Sequence, residues 1–202
     1  EVGRLMAESM LENIPDGGDI FLIQGPLTDN NVSLIREGID ETLAGSNLNV
    51  VYEANCPGWI AENAYTYTKE GLKLDRNVKG IICGNDDLAS QAFRALSEER
   101  LAGKVCVTGQ DGDLAACQRI VEETQEMTAF KSVEQEASLA AKCAVLLGLG
   151  EEIEEVQDTA YDGTYNVPYL ELQPIAVTKE NMDEVIIKGG FHAKEDVYLN
   201  VN

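Results

Sequence analysis

Val78-Lys-Gly-Ile-Ile-Cys-Gly-Asn-Asp-Asp87 begins as an apolar strand and ends in three polar residues. Gly103-Lys-Val-Cys-Val-Thr-Gly-Gln-Asp-Gly-Asp113 repeats the design. Runs of four to six nearly apolar residues fit strands covered on both faces, as in a parallel sheet. Each polar cluster then falls at the carboxyl end of its strand, which is where open α/β sheets bind ligands.

Outward from these two stretches the chain alternates. Apolar residues at helical spacing (Val2, Leu5, Met6, Met10) predict a helix over 2–14, broken by Pro15-Asp-Gly-Gly18. Strands are predicted over Asp19–Gln24 and Asn49–Glu53, with a helix over Asn30–Ala44 between them. Helices over Ala61–Leu74, Leu88–Leu96 and Leu114–Val121 separate the strands Val78–Cys83 and Lys104–Thr108. This rhythm predicts right-handed βαβ units in one open α/β lobe over residues 1 to about 125. Beyond it the pattern changes. Met127–Phe130 reads as a short strand and Val133–Leu147 as an Ala-rich helix capped by Gly148-Leu-Gly150. An acidic segment, a strand over Pro168–Leu172 and a last helix over Lys179–Ile187 follow.

The chain has 202 residues, 44% of them hydrophobic, enough for a real core. A net charge of −21 argues against a nucleic-acid or anionic-membrane surface, and solubility alone accounts for it. No apolar run has the length of a membrane span. The chain opens at Glu1, so a processed or fragmentary product is expected. None of the five cysteines (Cys56, Cys83, Cys106, Cys117, Cys143) stands in a C-x-x-C pair, which argues against zinc or redox chemistry. Cys83 and Cys106 read as small core residues. Phosphate-binding glycine loops are absent. The single histidine, His192, lies far along the chain from the polar clusters and cannot supply a catalytic triad or a multi-histidine metal site. No cofactor and no enzymatic activity are expected.

Four strands deliver Asn30/Asn31, Trp59, Asn85/Asp86 and Asp111/Asp113 to one rim. Amides offer donors and an acceptor, and ionised carboxylates offer acceptors, which together match the hydroxyls of a polyol. An indole can cover the apolar C–H face of a pyranose. Taken singly, an Asn or Asp after a strand is as readily the N-cap of the next helix, and Asp86 and Asp113 fit that role best. A lone Trp is more often packing, although Pro57-Gly58 before Trp59 favours exposure. The convergence of four loops carries the reading.

At these residues the sequence resembles the periplasmic sugar-binding proteins of ABC importers, in the type I (ribose/galactose-binding) class, and most of all its D-xylose-binding members. The resemblance runs from Glu1 to about Lys194 through Asp29-Asn-Asn31, Gly58-Trp59, Glu62-Asn63, Asn85-Asp86, Thr108-Gly-Gln-Asp111, Thr124-Gln125, Met127-Thr128, Lys131 and Ile187-Lys-Gly-Gly-Phe-His192. It implies sugar contacts at Asn31, Trp59, Asn85, Asp111 and Lys131, with Trp59 stacked on the pyranose. Lys131 has no such signal of its own and reads otherwise as a helix-start lysine. The class has two α/β lobes joined by three crossings and closes by a hinge. Residues 1–129 and 175–202 would form the C-terminal lobe. Residues 130–174 would belong to the N-terminal lobe, whose first hundred or so residues would be absent from this chain. The expected function is capture of a monosaccharide, D-xylose or a similar aldopentose, in an interlobe cleft. Delivery to the importer's membrane subunits would follow, by a protein that is a monomer when complete. The expected location is the periplasm or, lipid-anchored, the surface of a Gram-positive cell, since five free thiols are unusual in an exported protein. A sensor domain for a histidine kinase or chemoreceptor, or the effector domain of a sugar-responsive repressor, would share this fold.

Overall fold

The computed structural model describes residues 1–154, 156 and 158–201. In chain order it opens with α1 (Val2–Asn13), β1 (Gly18–Gln24), α2 (Asn30–Leu43) and β2 (Leu48–Asn55). It continues with α3 (Glu62–Leu74), β3 (Gly80–Cys83), α4 (Asp86–Glu98), β4 (Cys106–Gln110), α5 (Leu114–Val121) and β5 (Met127–Phe130). Next come α6 (Val133–Leu149), β6 (Asp158–Tyr161), β7 (Asn166–Tyr169), β8 (Ile175–Val177) and α7 (Lys194–Val197). Two compact units result: Glu1–Phe130 with Ile175–Asn202, and Lys131–Pro174.

The first unit is built on a six-stranded sheet of order β2-β1-β3-β4-β5-β8. The first five strands are parallel, and β8 pairs antiparallel with β5. Period-two alternation sorts the side chains. Ile20, Leu22 and Ile82 point to one face, where Met6 and Met10 of α1 and Ile35 and Ile39 of α2 cover them. Phe21, Ile23, Ile81 and Cys83 point to the other, beneath Ala64 and Leu72 of α3 and Leu88, Ala92 and Leu96 of α4. A third cluster joins Cys117 and Ile120 of α5 to Phe130, Val177, Met182 and Val197. The order 2-1-3-4-5 reverses direction at β1/β3, which makes the carboxyl ends of those two strands the switch point of the sheet.

Some expectations need correction. The strand over Asn49–Glu53 exists, as part of β2, but it is not covered on both faces: Val51 is 45% exposed. It is one of the two edge strands of the sheet. The strand expected over Pro168–Leu172 lies earlier, as β7, and pairs with β6 in a hairpin of its own. Its turn is set by the Asp162 carboxylate, which accepts from the backbone N–H groups of Thr164 and Tyr165 at 2.7 Å each. The expected final helix shrinks to a π-helical turn over Asp183–Ile187. In the second unit, α6 starts at a Ser132 cap that accepts from Gln135 N–H and ends at left-handed Gly150, as the glycines predict.

The contrast between inner and outer strands is testable by denaturant unfolding. Ile82→Ala in β3 should cost about 2–5 kcal/mol, as for a fully buried aliphatic residue. Val51→Ala in β2 should cost about 0.5 kcal/mol or less. Comparable losses at the two positions would contradict the edge placement of β2.

Candidate functional site

Because β1 to β4 run parallel, the loops that follow them open at one edge of the sheet. Trp59 ends the tight turn Pro57–Trp59 beyond β2, with Gly58 and Trp59 both at positive φ (61° and 58°). That turn lays the indole across Gly25 and Gly84, the residues just after β1 and β3, so the ring sits at the switch point. A β-carbon at Gly25 would overlap the indole. The ring is half-buried against the core on its side of the sheet, and its Nε1–H donates to Asp29 Oδ2 at 3.0 Å. Packing and rim exposure are thus both true of Trp59.

The other carboxylate oxygen of Asp29 accepts from the backbone N–H of Asn31 at 2.9 Å and caps α2. These two bonds hold the Asp29 carboxyl below its ordinary pKa. The structure therefore makes Asp29 the cap, with Asn30 and Asn31 exposed in the first turn of α2. At β3 it is Asn85 that caps α4, its Oδ1 accepting from Leu88 N–H at 2.9 Å. The cap uses the Asn85 oxygen and not its amide nitrogen.

Asp86 is no cap. Its carboxylate is fully buried beneath the rim. Oδ2 accepts from the backbone N–H groups of Gly112 (3.0 Å) and Asp113 (3.1 Å) and from the Thr128 hydroxyl (2.7 Å). Oδ1 accepts from Gln125 Nε2 at 3.0 Å. Gln125 Oε1 in turn takes the Nε–H of buried Arg119 at 2.9 Å. Gly109 is small for this reason: a β-carbon there would strike Asp86 Oδ1. Burial pushes the Asp86 carboxyl up to about 7, and the donors pull it only part of the way back. Asp113, the other expected cap, stands at the N-cap position of α5 but makes no side-chain cap bond. Partial burial raises its pKa, and the charges of Asp87 and Asp111 raise it further.

Asp111 begins the loop that these bonds hold, at a φ of 104° that disfavours a side chain. Gly112 follows at φ 74°. The carbonyl of Gly112 accepts from His192 Nε2–H at 2.8 Å, which fixes the imidazole tautomer. The Phe191 ring lies tilted against both Phe130 and His192, with centroids 4.8 and 4.5 Å apart. Distance along the chain misled the reading of His192: in space it touches the loop after β4. No group of acidic, histidine or cysteine side chains among the described residues could hold a metal ion. Cys56, Cys83, Cys106 and Cys117 are buried, and burial pushes the Cys56 thiol up to about 11. Of the five expected contacts, Asn31, Trp59, Asn85 and Asp111 follow the four neighbouring strands of one edge. Lys131 begins the second unit, next to Phe130 in sequence.

Two consequences can be measured. Unfolded, the Asp86 carboxyl releases its proton near pH 3.9, whereas folded it holds it to about 7. Its contribution to stability is therefore complete below about pH 4 and lost as the pH rises through 7. Relative to Asp86→Asn, wild type should lose stability as the pH rises from about 4 to about 7 and level off above; a gap that stays constant with pH would refute this. Asp111→Gly should be more stable than Asp111→Ala by about 1 kcal/mol, because glycine alone relieves the positive φ. Equal melting temperatures would mean that no strain is stored there.

The family model for the periplasmic binding protein domain matches residues 1–152. The D-xylose-binding periplasmic protein of Haemophilus influenzae is 40% identical over 98% of this chain, and that of Escherichia coli K12 is 36% identical over 98%. The chain spans about 60% of the length of these curated relatives. Among solved structures, an ABC transporter solute-binding protein from Clostridium phytofermentans with bound β-D-glucose superposes with a TM-score of 0.82 at 23% identity. That match covers 97% of this chain and 67% of the other. A second, from Actinobacillus succinogenes with bound D-allose, gives 0.77 at 24% identity, over 90% of this chain and 60% of the other. A parallel sheet of order 2-1-3-4-5 with an antiparallel last strand, an indole across its switch point and these matches lead to one assignment: the chain belongs to the periplasmic binding protein family and has the type I fold.

Proposed function

We propose that this chain forms the sugar-capturing part of an extracytoplasmic solute-binding protein that takes a monosaccharide, D-xylose or a similar aldopentose, and presents it to the membrane subunits of an ABC importer. The observation that supports this most is the placement of Trp59. Its ring lies across the two glycines at the switch point, beside the edge from which Asn31, Asn85 and Asp111 emerge. A flat apolar ring next to amide donors and a carboxylate acceptor suits a pyranose, which has an apolar face and a polar perimeter. Bonds from hydroxyls to a charged acceptor contribute about 1.5–3 kcal/mol each, so Asp111 is the strongest single hydroxyl anchor in this reading. The identity of 36–40% with proteins named for D-xylose binding favours a pentose. Lys131 enters as a fifth contact through that similarity alone. The first unit would be the C-terminal lobe of such a protein, and residues 131–174 part of the other lobe. On this reading the sugar is bound and released unchanged, and the protein is not an enzyme.

Trp59 is the only tryptophan, so intrinsic emission reports the proposed stacking site without any substitution. Titration with D-xylose, D-ribose, L-arabinose, D-glucose and D-galactose should give a saturable change, strongest for xylose. Asp111→Ala and Asn85→Ala should each weaken binding about tenfold or more, equivalent to about 1.4 kcal/mol. Lys131→Ala should weaken it as well. The absence of any spectral or calorimetric response to all five sugars would count against the reading.

A further inference from the structure

We infer that Asp86 is a positioning residue for the sugar site, its buried carboxylate holding the loop 111–113 in the form that presents Asp111; this rests on the sugar-binding reading above. Asp86 itself is fully buried and cannot touch a ligand from the rim. What it does touch is the loop. Two consecutive peptide N–H groups, those of Gly112 and Asp113, both donate to its Oδ2. The Thr128 hydroxyl donates to the same oxygen and accepts from Gly112 N–H at 3.0 Å, so β5 closes a ring of bonds around the turn. On the far side, His192 binds the Gly112 carbonyl. The peptide groups on both sides of Gly112 are therefore held by side chains, while the residue just before it carries a φ of 104°. A non-glycine residue keeps such a backbone only where its surroundings over-determine it.

The carboxylate is itself held in place. Gln125 Nε2 donates both to Asp86 Oδ1 and to the Met127 carbonyl (3.1 Å), and Arg119 fixes the other end of the amide. An asparagine at 86 keeps the shape but brings an NH₂ group against Gln125 Nε2 or against the loop N–H groups. Either way two donors face each other, and the loop is free to leave its strained form.

The test is a double-mutant cycle read by isothermal titration calorimetry with D-xylose, at a temperature where circular dichroism shows every variant folded. Asp86→Asn in the wild-type background should weaken binding about tenfold or more. In the Asp111→Ala background the same change should cost less than about twofold, because the anchor that it positions is already gone. Thr128→Val, a milder cut in the same ring, should show the same non-additivity and carries the cycle if Asp86→Asn does not fold. Losses that multiply in the double variant would overturn the inference, since a general weakening of the fold acts in both backgrounds. So would single variants that bind within twofold of wild type. Failure of the wild-type protein to bind any monosaccharide would instead refute the sugar-binding reading. Binding that is intact in Asp111→Ala would remove Asp111 from the site, and this role of Asp86 with it.

Discussion

A carboxylate buried without a cation in contact ties together the loops at the carboxyl ends of β3 and β4. Burying such a charge is costly unless its oxygens are fully paired. At Asp86 the pairing is drawn from three strand ends at once: its own position after β3, the loop after β4, and Thr128 in β5. Buried Arg119 is linked to it through Gln125. The requirement that these donors stay aimed at one point fixes the relative heights of β3, β4 and β5. Gln110 strengthens the tie, its amide donating to the Gly84 carbonyl at 2.6 Å across β3 and β4. On the other flank the bond from Trp59 to Asp29 links the loops after β2 and β1, and Asn55 at the end of β2 adds a bond to the Gly25 carbonyl at 2.9 Å. Since the indole rests on both Gly25 and Gly84, the two halves meet beneath it.

The parallel sheet was legible because its strands are short, apolar and evenly separated by helices, and each polar cluster after a strand marked the same edge. β2 shows the limit of that logic. Val50 and Val51 look like interior residues, but an outer strand can carry β-branched residues for their backbone preference alone. Composition does not reveal strand order, so a parallel strand at the edge of the sheet could not be told from the four inside it. The β6–β7 hairpin was half missed for another reason. Thr159 to Tyr161 carry no strong alternation, and the decisive signal was the turn at Asp162-Gly163.

Helix caps and ligand contacts look like rival explanations for the same residues, but the cap bonds at this edge do not use up the polar groups that the proposed contacts need. Asn85 spends its oxygen on Leu88 N–H and keeps its nitrogen, so the cap is what aims the amide. Asp29 uses one oxygen for the helix and one for the indole. The true misreading was Asp86, assigned to a cap because it stands where caps stand. Nothing local distinguishes a carboxylate that turns outward from one that turns down between strands. The distinction comes from Gly109, whose missing side chain makes the space, and from Thr128 and Gln125, which supply donors from about forty residues further on. His192 escaped for the same reason on a longer scale.

These ties bear on how a small ligand could be held at such an edge. Binding a sugar costs the freedom of every side chain that must be ordered around it. Here the indole is already bonded to Asp29, the Asn85 amide is already oriented by its cap, and the loop of Asp111 is already held at both faces of Gly112. On the proposed reading, most of the ordering cost on this unit would be met by folding rather than by the ligand. The backbone strain at Trp59 and Asp111 belongs to the same account: two of the non-glycine residues at positive φ are the proposed ring platform and the proposed charged anchor. A turn that lays an indole flat over glycine, and a turn that lifts a carboxylate out of a strand end, both leave the common backbone regions. The buried network around Asp86 and the bond to Asp29 offset what those departures cost.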